Sequence, residues 1–232
     1  MRQAIFAAAV LTLVAGPSLA EGDSLPELTR DMQERRAVEA ALWGMPAVNY
    51  DLMLQELLSV TKGKVNEVIY WGKPLDWRNQ TLTPNPDTLY FMAFLNTKDV
   101  GPIVIEIPSA EPDGSLNANF VNVWQQPLED AGLLGVDKGK GVKLLMLPPG
   151  YAEPVPPGYV ALQPMTRGSY ALFRSNLASR SEADVAKSAA YAKRVKVYPL
   201  SSAANRRRPC SRMSAIRCSI PRSAMTRAFS NT

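Results

Sequence analysis

No histidine occurs anywhere in the 232 residues. Catalysis by Ser-His-Asp or Cys-His constellations is thereby excluded, and so is any metal site built on imidazole. Cysteine is almost as scarce: the only two, Cys210 and Cys218, lie near the C-terminus, and residues 21–205 have none. A fold made from that stretch has to stand on its apolar core without cross-links. The spacing of the two cysteines matches no common metal motif, and one pair gives at most one bridge. There is no phosphate-loop glycine pattern and no internal repeat. The apolar run near the N-terminus, Ala4–Ala15, falls short of the roughly 20 residues that span a bilayer.

Acidic residues are also missing from one region. Between Arg206 and Thr232 there are seven arginines and no carboxylate. The formal charge of the chain is +5, so residues 1–205 carry 5 − 7 = −2. A basic chain invites a nucleic-acid reading. Here the basicity belongs to the ending alone, and no nucleic-acid partner is expected for the body.

What is present begins with a leader. "MRQAIFAAAVLTLVAGPSLA" has one charge, Arg2, then the apolar run, then Gly16 and Pro17. Ser18 and Ala20 place small side chains at −3 and −1 of a cleavage point after Ala20. This is the three-part pattern of a secretory signal peptide over residues 1–20, bacterial in style. The mature protein is expected in the periplasm or outside the cell, with no membrane span after cleavage.

Residues 21–64 read as helical. "SLPELTRDMQERRAVEAALWGMP" puts Leu25, Leu28, Met32, Val38, Ala41 and Leu42 on about one face, and Gly44 and Pro46 are expected to end that helix and start a second through Leu52, Leu54, Leu57 and Leu58. From Val68 the pattern becomes strand-like. "VIYW" and the two-sidedly apolar "DTLYFMAFLNT" are followed by "PIVIEIP", which predicts a hairpin at "DVG". "LNANFVNVWQQP" and "GVKLLMLPP" are further strands around a loop "EDAGLLGVDKGKG", and "GYVALQP" with "GSYALFRSN" reads as another strand pair. "SEADVAKSAAYAKRVKVYPL" predicts a closing helix capped by Ser181 and ending before Pro199. The expected class is α+β: N-terminal helices, an antiparallel β-sandwich-like sheet, and a C-terminal helix, with residues 65–205 as the β-rich domain.

"NQTLTPNPDTLY", residues 79–90, is the densest local signal. Pro84 and Pro86 push Thr83 and Asn85 toward extended backbone, and Asn85 and Asp87 suit Asx turns. The result is a stiff corner that delivers a buried strand. With Asn85, Asp87, Thr88 and Tyr90 in this arrangement, followed by "GPIVIEIP", "NFVNVWQQPLEDAG", "LLMLPPGY", "VPPGY" and "RVKVYPLSSAAN", the chain resembles the bacterial exported family known as domain of unknown function 1254. The resemblance covers residues 27–205 and implies a fold and an exported address. No activity is established for the family, so it implies no catalytic residues. Members usually continue into a second β-rich module, which this sequence lacks. One permitted back-translation of the tail, with degenerate bases chosen to suit the family, gives the proline-rich continuation expected after "YPLSSAAN" when read in a shifted frame, where repeated proline codons become arginine codons. Residues 206–232 are therefore read as a frameshifted, disordered ending, with Cys210 and Cys218 accidental.

Two function classes compete. In the first, Trp71, Trp77, Asn79, Asn85, Asp87, Thr88, Tyr90 and Trp124 line a polar pocket for a small polar or sugar-like ligand, by stacking and directed hydrogen bonds. The same residues also suit a purely structural role, with Asn85 and Asp87 locking the turn and the tryptophans filling the core. There Asp87 accepts turn amides, and its loss should cost roughly 1–3 kcal/mol. In the second class, carboxylates among Asp87, Glu106, Glu129 and Asp130 supply an acid/base pair for a hydrolase or lyase. No cofactor is implied, and Asp87, Glu129 and Asp130 do not form the spaced cluster a metal site needs. The mature N-terminus should be Glu21. N-terminal sequencing of the exported fraction checks this, and recovery of chains starting at Met1 would contradict it.

Overall fold

The computed structural model describes residues 24–75 and 85–203. The leader, Trp77, Asn79 and the basic tail lie outside the described residues. The chain divides into two units, Met1–Trp43 and Gly44–Thr232.

The first unit contributes the opening turns of helix α1, Leu25–Thr61. Ser24 and Glu27 start it with a capping arrangement in which the Glu27 carboxylate accepts from the Ser24 amide at 2.8 Å and from its hydroxyl at 2.7 Å. These bonds hold the Glu27 pKa below its usual value. Every residue from Leu25 to Trp43 is exposed. The turns gain local support from the pairs Arg30–Glu34 and Arg36–Glu39.

Two helices were expected around Gly44 and Pro46, but α1 runs through both. A proline inside a helix removes one hydrogen bond and crowds the preceding turn, at about 3 kcal/mol. Burial of the turns beyond it opposes that cost. Tyr50 and Leu57 are buried with Ile69, Met92 and Phe94, and Met53 and Leu54 pack against the same cluster. The helix stops at Thr61, and Lys62 and Asn66 take left-handed backbone at φ 56° and 68°. The Asn66 side chain then brackets strand entry, donating to the Asn96 carbonyl at 3.1 Å and accepting from the Asn96 amide at 2.7 Å.

Nine strands follow among the described residues: β1 Val68–Tyr70, β2 Thr88–Asn96, β3 Ile103–Ile107, β4 Leu116–Asn122, β5 Pro127–Gly132, β6 Val142–Met146, β7 Val160–Leu162, β8 Gly168–Asn176 and β9 Lys196–Pro199. Helix α2, Glu182–Ala192, precedes β9, and a short 3₁₀ turn, Leu200–Ser202, follows it. One sheet has the order β1-β2-β8-β4-β5 and the other β7-β6-β3-β9. All pairings are antiparallel except β6 with β7. The α+β class holds.

Four local expectations change. β2 and β3 form no hairpin, since β2 is flanked by β1 and β8 while β3 lies between β6 and β9. A strand buried on both faces needs a partner on each edge, and the turn at Gly101, φ 69°, passes the chain to the other sheet. β7 and β8 are likewise in different sheets. The start of the supposed loop "EDAGLLGVDKGKG" belongs to β5, because its backbone pairs with β4. The closing helix ends at Ala192, and "KVYP" is strand β9. Val197 and Tyr198 are better served by a strand that pairs with β3. The Ser181 cap is as expected, its hydroxyl accepting from the Asp184 amide at 3.2 Å.

The main core lies between the sheets. β8 alternates without exception, with Ser169, Ala171, Phe173 and Ser175 buried. Phe173 stacks on Phe91 with centroids 4.7 Å apart and meets Phe120 edge-on at 5.7 Å. Ile103, Ile105, Leu144 and Met146 face them from the second sheet. Tyr191 of α2 belongs to the same core, its hydroxyl donating to the Pro108 carbonyl at 3.0 Å. Gly114 admits it, because a Cβ there would lie 2.4 Å from the Tyr191 ring.

The far face of the second sheet buries Val104, Leu145, Leu147 and Tyr198 beneath Tyr151, Val155, Tyr159 and Leu200. Glu106 sits on this sheet, accepting from the Tyr198 hydroxyl at 2.5 Å, with Lys143 and Lys196 each 3.6 Å away. Burial pushes its pKa up, but the Tyr198 bond and the two lysines outweigh that and leave it below the usual value. A depressed folded-state pKa gives stability that is present above the unfolded value and lost as pH falls through the folded one. Glu106→Gln should therefore lower the melting temperature near neutral pH, and the gap to wild type should close as pH falls below about 4.5. Melts across that range check the sign; a gap that widens on acidification would contradict it.

Candidate polar site on the outer sheet face

The outer face of the five-stranded sheet changes character along its strands. At one end Met92, Phe94, Tyr170 and Leu172 belong to the apolar cluster with Tyr50 and Leu57 of α1. At the other end the register builds a polar row. The Trp71 amide donates to the Tyr90 carbonyl at 3.0 Å, Tyr90 lies opposite Arg174, and Arg174 lies opposite Asn117. One row along, Leu172 opposes Asn119, and Asn119 opposes Asp130.

These side chains form a connected network. The Asn85 amide donates to the Tyr90 hydroxyl at 2.9 Å. The Arg174 guanidinium stands 5.7 Å from the Tyr90 ring centroid, a cation–π distance. Arg174 donates to the Asn119 side-chain oxygen Oδ1, and the Asn119 side-chain Nδ2 donates to an Asp130 carboxylate oxygen at 2.8 Å. Charge at one end is thus relayed through an amide to the opposite charge at the other. Burial raises the pKa of the neighbouring Tyr170, with Arg174 acting in the opposite direction. Among the described residues, the Asn117 carbonyl oxygen and the Thr88 hydroxyl are inaccessible and have no hydrogen-bond partner. Unpaired buried polar atoms of this kind cost free energy.

Asn85, Asp87, Thr88, Tyr90 and Trp71 are therefore brought to one end of the sheet. The Asx turn at Asn85 forms, its side chain accepting from the Asp87 amide at 2.9 Å. Asp87 differs from expectation. Among the described residues its carboxylate takes no turn amide but pairs with Arg180 at 3.2 Å, with both side chains largely exposed. The tight turn already has Asn85 as its acceptor. Trp124 lies elsewhere, in the turn after Asn122 at the opposite end of β4. From Asn117 to Asn122 that strand covers about 17 Å. Trp77 and Asn79 lie outside the described residues. Asn117, Asn119 and Arg174 escaped the sequence reading. Their signal was the period of two in "LNANFVN" and "GSYALFRSN", which puts Asn117 with Asn119, and Arg174 with Tyr170, on the face away from the buried set.

The carboxylates are dispersed. Asp87 precedes β2 and Asp130 lies on β5, three strand spacings away, which is about 14 Å before any offset along the strands. Paired glycosidase carboxylates lie roughly 5–9.5 Å apart. Glu106 is on the other sheet. Glu129 accepts from the Asp130 amide at 3.0 Å. No group of three or more carboxylates or thiols that could hold a metal ion occurs among the described residues. No helix among them is long and apolar enough to cross a membrane.

The family model "Protein of unknown function (DUF1254)" matches residues 65–199. The chain belongs to this family. The match begins just before β1 and ends with β9, so it takes in both sheets and the polar row. A search of curated proteins finds no match. Among solved structures, the chain is similar to the VPA0106 protein of Vibrio parahaemolyticus, with a TM-score of 0.57 at 14% identity over 75% of this chain and 41% of that one. An uncharacterised protein from Burkholderia cenocepacia matches with a TM-score of 0.38 at 12% identity, covering 80% of this chain and 47% of that one. The first likeness shows a shared fold. The chain spans less than half the length of either structure.

Substitutions should rank by what each leaves behind. Asp87→Ala removes an exposed ion pair and should cost about 1 kcal/mol or less. Asn119→Ala strips a part-buried arginine of its acceptor and should cost about 1–3 kcal/mol. Urea denaturation of both variants checks the order, and an Asp87→Ala cost equal to or above that of Asn119→Ala would reverse it.

Proposed function

We propose that this DUF1254 chain is an exported binding module that takes a small, hydroxyl-rich polar ligand on the outer face of its five-stranded sheet. One observation carries the reading: the continuous network from Asn85 through Tyr90, Arg174 and Asn119 to Asp130, built on a rigid sheet. An aromatic flank beside a cation, amides and a carboxylate suits stacking against a sugar ring with bonds to its hydroxyls. Support for export comes from the leader-like residues 1–20. The dispersed carboxylates favour binding over acid/base hydrolysis.

The test is calorimetric titration with neutral hexoses and hexuronates, on wild type and on Arg174→Gln. The expected result is saturable binding by at least one of these sugars, weakened about tenfold or more by the substitution, as the loss of a charge-assisted bond implies. Binding that Arg174→Gln leaves intact, or none across the panel, would remove the site. Release of product from a glycoside of the bound sugar would turn the reading to an enzyme.

A further inference from the structure

Among the described residues, Arg174 is the one lysine or arginine that is not exposed. No ion pair among those residues includes it. Its contacts are the neutral Asn119 side chain and the Tyr90 ring. Several exposed cations are matched by charge. Arg194 grips Glu111 through two nitrogens, at 2.6 and 2.9 Å, Arg180 pairs with Asp87 at 3.2 Å, and Lys187 pairs with Asp113 at 3.0 Å. The usual order is reversed here. A cation drawn out of water is the one that most needs an opposite charge beside it.

A guanidinium offers five N–H donors in a planar fork. Of these, Nη1 is used on Asn119, while Nε and Nη2 donate to no protein atom among the described residues. A fork of this shape matches the two oxygens of a carboxylate. The protein's own carboxylates do not fill that role. Asp87 is held by Arg180, and Glu129 accepts from the Asp130 amide at 3.0 Å. Asp130 stands one amide away, joined to the network through the Asn119 Nδ2 at 2.8 Å. Its negative charge limits what the face accepts, favouring a singly charged group over a dianion. Two further groups suit hydroxyls. The Tyr90 oxygen accepts from the Asn85 amide at 2.9 Å, which leaves its proton for a sugar oxygen, and Oδ2 of Asp130 is an acceptor.

We infer, building on the binding reading above, that the ligand of this face carries a carboxylate: a hexuronate, not a neutral hexose. The Arg174 fork takes the carboxylate, and Tyr90 and Asp130 take ring hydroxyls. The ligand then supplies the counter-charge that the fold withholds from its least exposed cation. Arg174 is the residue that sets the preference for acid over neutral sugar.

The test is calorimetric titration of the full chain with sugars matched except at the terminal carbon: D-glucose against D-glucuronate, and D-galactose against D-galacturonate. At least one uronate should bind about tenfold or more tightly than its neutral partner, as a charge-assisted bidentate contact implies. Its methyl ester, which removes the charge and keeps the ring, should fall back to the affinity of the neutral sugar. This comparison uses the unaltered protein, so it does not depend on any variant folding. Arg174→Lys keeps the charge and loses the fork, and should weaken uronate binding about tenfold while changing neutral-sugar binding much less. Equal affinity for a hexose and its uronate, or for acid and ester, would overturn the carboxylate assignment and leave the binding module standing. Tighter binding of glucose 6-phosphate than of glucuronate would overturn it as well. Absence of binding by every sugar would remove the module and the assignment together.

Discussion

The ladder between β2 and β8 is the pairing from which the other features follow. All nine residues of β2 find partners, from Thr88 opposite Asn176 to Asn96 opposite Gly168. This register stacks Phe91 on Phe173 inside the sandwich, and by the same alternation sets Tyr90 beside Arg174 outside it. A slip of one residue would exchange the two faces, burying Arg174 and exposing Phe173. The inner core therefore holds the outer polar row in place. The network around Arg174 needs no loop to position it, because the sheet spacing already brings cation, ring and amide into reach.

Much of the architecture was legible because it rests on short-range pattern. The Ser181 cap, the Asn85 turn, the apolar run of β2 and the alternation of β8 are all set by neighbours in sequence. What failed were the decisions that depend on distant partners. "PIVIEIP" reads as a strand on its own, but nothing in it says that its partners are "VKLLM" and "KVYP" rather than the strand just before it. Pro46 reads as a helix stop, because the burial of Tyr50 and Leu57 that offsets it comes from the sheet.

The candidate site divides the same way. Asn85, Asp87 and Tyr90 stood out because proline and amide chemistry concentrate there. Arg174 and Asn119 sit far from the corner in sequence, each an ordinary polar residue on an alternating strand, and only the register makes them neighbours. Trp124 was grouped with the corner on chemistry alone. Its turn lies past the wrong end of β4, a matter of strand direction that composition does not carry.

Strand order also governs the course of folding. The second partner of β2 begins at Gly168 and the second partner of β3 at Lys196, so each sheet closes through a segment from the last part of the described residues. Loops of that length make contact formation slow, because their closing entropy is lost before the contacts form. Until Gly168 and the residues after it have been made, β2 exposes one open edge and an almost continuous apolar surface. A ribosome-bound chain that stalls before this point would present a sticky, unpaired strand, and its safe passage would depend on chaperones more than on its own sequence.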